Sequence, residues 1–155
     1  MTDKMFLKPI IIIGLLINLS ACNQIGIKES NENSETDLLQ LRQEADIAYQ
    51  NDDLETSEKH YELLVKEMPE EAMHWFRLGN IYVRTNRPYT AINLYREAVI
   101  RDPKFAKAWY NLGLVQLKQT AFSLNEMLLY TEKTDPLYSK AATMLEEIKA
   151  IIKED

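Results

Sequence analysis

Few side chains in this sequence are able to do chemistry. One of the 155 residues is a cysteine, Cys22, and two are histidines, His60 and His74. The histidines fall on different expected helices. They match neither H-x3-H nor H-E-x-x-H, the spacings that turn two imidazoles toward one metal ion. The four glycines are isolated, so no glycine-rich loop is available to cradle a phosphate. Asp52-Asp53 and Glu70-Glu71 pair carboxylates, but both pairs sit in expected turns, where solvated acids are ordinary. Nothing converges on a nucleophile, an acid/base pair or a metal site. The residue types point away from an enzyme, and no cofactor or metal is expected.

Cys22 is the exception, and its surroundings say what its thiol is for. Lys4 and Lys8 precede an apolar run from Ile10 to Leu19, broken only by Gly14 and Asn18. A run of about ten residues is too short to span a bilayer and has the length of a secretory signal's apolar core. Met5 is an alternative start to Met1, because it removes Asp3 from the basic segment. The run ends in Leu19-Ser20-Ala21-Cys22, which resembles the bacterial lipobox. The resemblance implies that the Cys22 thiol is alkylated by a diacylglyceryl group. The chain would then be cut before Cys22 and the new amine acylated, for example with palmitate. Three acyl chains exceed the two signals that stable anchoring needs. Asn23 rather than Asp follows the cysteine, and in that family this implies the outer membrane, facing the periplasm. Residues 1–21 are read as a lipoprotein signal peptide. Residues 22–36 are read as the lipidated cysteine and a flexible tether with a reach of roughly 20 Å.

The formal net charge is −6. Residues 1–21 hold Lys4, Lys8 and Asp3, so the remainder is more acidic still. An acidic domain is a poor partner for a polyanion, and nucleic acid is not an expected ligand.

From residue 37 onward the pattern is helical throughout, with no strand alternation. Asp37 is positioned to cap a helix running to about Gln50, with Leu38, Leu41, Ala45, Ala48 and Tyr49 as its stripe. A second helix ends before Pro69. A third, from about Glu71 to Arg84, carries Trp75, Leu78, Gly79 and Tyr82. A fourth begins at Pro88 and carries Ala91, Leu94, Tyr95, Ala98 and Val99. A fifth carries Ala106, Trp109, Leu112, Gly113 and Gln116, and a sixth is expected from about Ala121 to Lys133. Asp135-Pro136 reads as the N-cap and first residue of a last helix.

Within this pattern Pro69, Ala72, Trp75, Leu78 and Gly79 recur 34 residues later as Pro103, Ala106, Trp109, Leu112 and Gly113. The period and the W-x2-L-G spacing resemble the tetratricopeptide repeat. The middle copy is complete, with Trp75, Leu78, Gly79 and Tyr82 on its first helix and Ala91, Tyr95, Ala98 and Pro103 completing it. The first copy keeps Ala45, Tyr61 and Pro69 but has Leu41 for Trp and Ser57 for Ala. The third keeps Trp109, Leu112 and Gly113, then diverges at Gln116, Asn125 and Glu132. The expected fold is therefore all-α, a solenoid of about three helix-turn-helix repeats (38–71, 72–105, 106–136) with a capping helix over 137–153, together forming a domain over 37–155. Small residues at Gly79 and Ala91 let two helices approach, and Trp75, Tyr82 and Tyr95 fill the wider gaps.

The resemblance also implies a protein-binding groove lined by the first helix of each repeat. Carried onto this chain, its positions are Leu39, Arg42, Asp46 and Tyr49, then Met73, Phe76, Asn80 and Val83, then Lys107, Tyr110, Leu114 and Leu117. Their mix of aromatic, aliphatic and polar groups suits an extended peptide or a partner helix. One subfamily grips a C-terminal carboxylate. Arg42, Lys107 and Asn111 match it in part, whereas Asp46 stands where it needs asparagine. The expected function is an outer-membrane-anchored periplasmic scaffold, assisting assembly or localisation of a pilus or secretion-system component in the manner of pilotins. The alternatives are an adaptor that recruits cell-wall enzymes and, more distantly, a lipoprotein enzyme. The oligomeric state is left open.

Overall fold

The computed structural model describes residues 22–153, all-α. The expected signal segment 1–21 lies outside the described residues, as does the side chain of Cys22. The six helices are α1 (Cys22–Gln50), α2 (Leu54–Glu67), α3 (Ala72–Arg84), α4 (Pro88–Arg101), α5 (Ala106–Tyr130) and α6 (Pro136–Lys153). The chain divides into two compact units, Met1–Leu39 and Gln40–Asp155. The described part of the first is helical backbone from Cys22 onward. The second holds the packed helices, which meet in chain order as α2 on α3, α3 on α4, α4 on α5 and α5 on α6.

Two boundaries differ from expectation. The segment 22–36, read as an irregular tether, is helical and continuous with the helix expected from Asp37. It contains no proline, and extending an existing helix needs no new nucleus. The second difference is that the expected fifth and sixth helices are one, α5. The reason lies in the turns. The α1–α2 and α3–α4 turns each carry a residue in the left-handed region, Asp52 at φ 64° and Asn86 at φ 58°. Asp and Asn tolerate that conformation better than most residues. The two positions are 34 residues apart, and one further period falls on Thr120. A β-branched residue resists positive φ, so the third copy has no turn and its helix runs on to Tyr130. Asn125 and Glu132 also replace the small residues with which Ala91 and Ala98, both fully buried, let α4 lie against α3. The terminal helix α6 packs on the long α5 instead, burying Ala141, Leu145 and Ile148.

Local signals hold the ends. Asp53 Oδ1 accepts the Thr56 N–H at 3.1 Å as the N-cap of α2, and the Thr56 side chain, followed by this backbone bond, lowers the Asp53 pKa. Asp135 Oδ1 accepts the Leu137 N–H at 2.7 Å ahead of Pro136, as the sequence predicts. The Trp75 indole N–H donates to the Pro69 carbonyl at 2.8 Å, and Trp109 repeats the bond to Pro103 at 3.1 Å. Arg101 lies 4.3 Å over the Trp75 ring and also donates to the Pro69 carbonyl. One period later Asp135 replaces that arginine, and Trp109 is left 51% exposed.

The core forms two clusters. One joins Ala45, Tyr61, Leu64, Leu78, Ile81 and Leu94. The other joins Phe76, Ala91, Tyr95, Ala98, Val99, Ala108, Leu112 and Val115. Trp75 and Tyr82 pack against both and so bridge them. Ser57, where the complete copy has Ala91, is fully buried, and its hydroxyl donates to the Ala45 carbonyl at 3.0 Å. Between the first two copies the Arg87 guanidinium grips both oxygens of Glu58 and lies 3.9 Å over the Tyr82 ring. This bond holds the Glu58 carboxyl below its ordinary pKa.

The two signature glycines separate in role. A Cβ on Gly79 would lie 2.7 Å from Cε1 of Tyr95, a buried ring atom that would have to shift to admit it. A Cβ on Gly113 would meet nothing within 4 Å, so the structural role expected of Gly113 is not found. One period after Tyr95 stands Leu129, which is exposed and brings no ring to that glycine. Gly79→Ala is expected to cost about 1–3 kcal/mol through overpacking. Gly113→Ala is expected to add about 0.5–1 kcal/mol by removing glycine's helix penalty. Chemical denaturation of the two variants checks the contrast.

His74 gives a second prediction. It is buried with its ring 6.2 Å from that of Tyr61, and its Nδ1 has no hydrogen-bond partner among the described residues. Burial lowers its pKa, and Arg42 adds to this, while Glu71 and Asp46 pull weakly the other way. The unfolded chain therefore takes up a proton below pH 6.5 that the folded chain resists. The stabilising contribution is complete above that pH and is lost as pH falls toward the lowered folded value. Denaturation midpoints should fall over that interval in the wild type and fall less in His74→Phe.

Candidate functional site

A cleft of about 310 Å³ opens on the Gln40–Asp155 unit. Tyr49 reaches it from α1, Asn80, Val83 and Arg84 from α3, and Tyr95 from α4. Asn111, Leu114, Val115 and Lys118 complete it from α5. Residues spaced three and four apart share a helix face, which is why Asn80, Val83 and Arg84 arrive together, and likewise Asn111, Leu114, Val115 and Lys118.

The floor is a hydrogen-bonded triad. The Tyr95 hydroxyl donates to Asn80 Oδ1 at 2.8 Å, and Asn111 Nδ2 donates to the same oxygen at 2.9 Å. Burial pushes the Tyr95 phenol up to about 12, so it stays protonated and remains the donor. With its oxygen occupied twice, Asn80 presents its NH2 group elsewhere. Asn111 spends its NH2 group inward and keeps its carbonyl oxygen unpartnered among the described residues. Both residues line the cleft, so its lining includes one amide donor, on Asn80, and one carbonyl acceptor, on Asn111, that this triad does not use, the two kinds of group a peptide unit pairs with.

The same contact exists one period earlier. The Tyr61 hydroxyl donates to Asp46 Oδ1 at 2.6 Å, and Arg77 lies 3.7 Å from that carboxylate. Burial and this bond raise the Tyr61 pKa. Asp46 is thus committed to the α1–α2 hairpin and does not line the cleft.

The charge of the cleft opposes that of the chain. Arg84 and Lys118 line it and no carboxylate does, although the chain as a whole carries −6. Arg84 lies 4.8 Å over the Tyr49 ring and is ion-paired with Asp52. Lys118 has no ion pair among the described residues. The two cations are 34 residues apart, at equivalent repeat positions.

Of the expected groove positions, Tyr49, Asn80, Val83 and Leu114 line the cleft. Arg42, Met73, Lys107 and Tyr110 are exposed but outside its lining, and Leu117 is half-buried. Phe76 requires correction. It is 7% exposed, with its ring 4.8 Å from Phe105 and 5.9 Å from Tyr95, and it belongs to the core. An apolar ring beside two others is buried whatever its repeat position. The partial carboxylate-gripping set is not assembled either, since only Asn111 of that set lines the cleft. Arg84, Val115 and Lys118 were not anticipated, and Tyr95 was assigned only to the framework. The signal for the cations was available, as Arg84 and Lys118 repeat at the period that identifies the fold. Among the described residues no group of His, Cys, Asp and Glu is able to hold a metal ion. No described helix is long and apolar enough to cross a membrane.

A stack of helical hairpins that offers a cleft without a reactive group defines a repeat scaffold. Two family profiles make this specific: one described as tetratricopeptide repeat matches residues 42–88, and one described as TPR repeat matches residues 79–119. The chain carries a tetratricopeptide repeat domain, and such domains are protein–protein interaction modules, typically non-catalytic. The matched stretch stops at the residue before Thr120, where the turn is lost. No curated protein matches the chain.

Tyr95→Phe should lower stability by about 0.5–1.5 kcal/mol, the net worth of one hydrogen bond. It should also loosen the Asn80 side chain, leaving it held by Asn111 alone of the two donors. Equilibrium unfolding reads the first effect, and side-chain amide NMR signals of Asn80 and Asn111 read the second.

Proposed function

We propose that the cleft holds an extended, acidic segment of a client protein. In this reading the chain is an outer-membrane-anchored periplasmic scaffold that assists assembly or localisation of a pilus or secretion-system component. The observation that carries the first part is the Asn80–Tyr95–Asn111 triad beside Arg84 and Lys118. A client strand would set one peptide group against the two asparagines. Its aliphatic side chains would lie on Val83, Leu114 and Val115, and its carboxylates would face the two cations. Because the Tyr95 hydroxyl already fixes Asn80, little further ordering is required on binding. Placement at the membrane rests on the sequence alone. It follows from the apolar run before Leu19-Ser20-Ala21-Cys22, the single cysteine, and Asn23 after it. Lipid sorting would then deliver whatever the cleft holds.

The test joins both halves. A photo-crosslinking residue at Leu114 identifies the client in envelopes. A Cys22→Ala strain is expected to keep that crosslink while the client leaves the outer-membrane fraction. Unaltered client location in that strain would overturn the delivery role. Lys118→Glu is expected to weaken client binding about tenfold or more, in keeping with the roughly 1.5–3 kcal/mol of a hydrogen bond to a charged group. The loss should shrink as salt is raised. Equal binding by wild type and Lys118→Glu would refute the acidic character of the client segment.

A further inference from the structure

The terminal helix α6 carries two apolar stripes, of which α5 covers one. Ala141, Leu145 and Ile148 are buried. Leu137, Met144 and Ile151 recur every seven residues and are 56%, 47% and 55% exposed. A seven-residue spacing drifts only slowly around a helix, so these three side chains form one continuous strip along its length. Beside the strip lie Lys140 and Glu147, again seven apart, and neither has an ion pair among the described residues. The nearby Lys149 and Glu146 are paired with each other at 2.9 Å.

The apolar residues of the strip are symmetric about Met144, and the two charges are offset from that symmetry by one residue. Leu137 and Ile151 stand seven residues to either side of it, and Lys140 and Glu147 stand four before and three after. Turning a second α6 antiparallel about an axis at Met144 therefore sets Met144 against Met144 and Leu137 against Ile151. It also sets Lys140 near Glu147 of the second copy, twice over. A parallel pairing would place Lys140 against Lys140 and Glu147 against Glu147, which opposes association. We propose that two copies of this chain pair through α6, antiparallel across a two-fold axis at Met144. Such an interface is isologous, with one surface meeting itself. It leaves the cleft of each copy open, since no α6 residue lines it.

Thiol crosslinking reads the geometry directly. The full chain carries Cys22→Ser, so that an engineered thiol is the only one present. Under mild oxidation Met144→Cys is expected to form a disulfide dimer. Leu137→Cys and Ile151→Cys, each alone, are expected to stay monomeric, and a mixture of the two is expected to crosslink. Lys140→Glu is expected to lower the Met144→Cys dimer yield several-fold, and adding Glu147→Lys is expected to restore it. All substituted positions are on the exposed side, and circular dichroism confirms that the variants keep their helices. Self-crosslinking of all three single-cysteine variants would mean a parallel pair and overturn the proposal. No crosslinking at any of them would overturn it as well.

Discussion

The contact on which the rest depends is the seating of a tyrosine from the second helix of a hairpin against the first. Tyr95 reaches Asn80 because Gly79 has no side chain to obstruct its ring. Tyr61 reaches Asp46 beside Ala45, which stands where the next copy has glycine. In each case one residue joins the two helices by packing through its ring and by a directed bond through its hydroxyl. A phenol kept neutral by burial performs both tasks, which an aliphatic residue of similar size would not. In the second hairpin the same hydroxyl orients the amide on the cleft floor. Framework and cleft floor therefore share an atom, the Oδ1 of Asn80.

The third copy shows what happens when this arrangement is lost. Leu129 replaces the tyrosine, Gly113 faces open space, and Thr120 stands where Asp52 and Asn86 turned the chain. Two changes, Leu129 and Thr120, remove the ring and the turn, and with the ring goes the reason for the glycine. The helix then continues by default, because nothing stops it and each further residue adds a hydrogen bond without a new nucleus. α6 covers part of the extension, and its own second stripe stays in solvent. A worn repeat thus leaves apolar surface at the end of the stack, which an intact one would have buried against a neighbour.

How far the sequence could be read follows from the same physics. The complete copy was legible because each of its consensus residues has a local reason. Proline starts α4, small residues permit close approach, and tryptophan ties its own helix to the loop before it. The N-cap at Asp135 was legible for the same reason. The continuity of α5 was not, because repeat spacing carries no statement about φ. The relevant information lay in a single β-branched residue at a turn position. Phe76 was misassigned because its repeat position points to the groove while its neighbours Tyr95 and Phe105 draw it inward. Arg84 and Lys118 were overlooked because exposed charges on helices are usually only solvated. They differ in lining a cleft that has no carboxylate.

That difference bears on specificity. A surface carrying an excess of acid repels an acidic partner at long range, so a cationic cleft within it acts only over short distance, within about a Debye length of the cleft. Arg84 is held back by Asp52 and by the face of Tyr49, which leaves Lys118 as the more available charge. Such a site discriminates by register. In the reading proposed above, a client would bring its carboxylates to these two points while its main chain meets Asn80 and Asn111. A segment with the right composition in the wrong spacing satisfies one set and strands the other. Fixed asparagines enforce this better than mobile ones, since a rotating amide would accommodate either register. On that reading, the buried tyrosine that closes the hairpin would also be the element that makes the cleft selective.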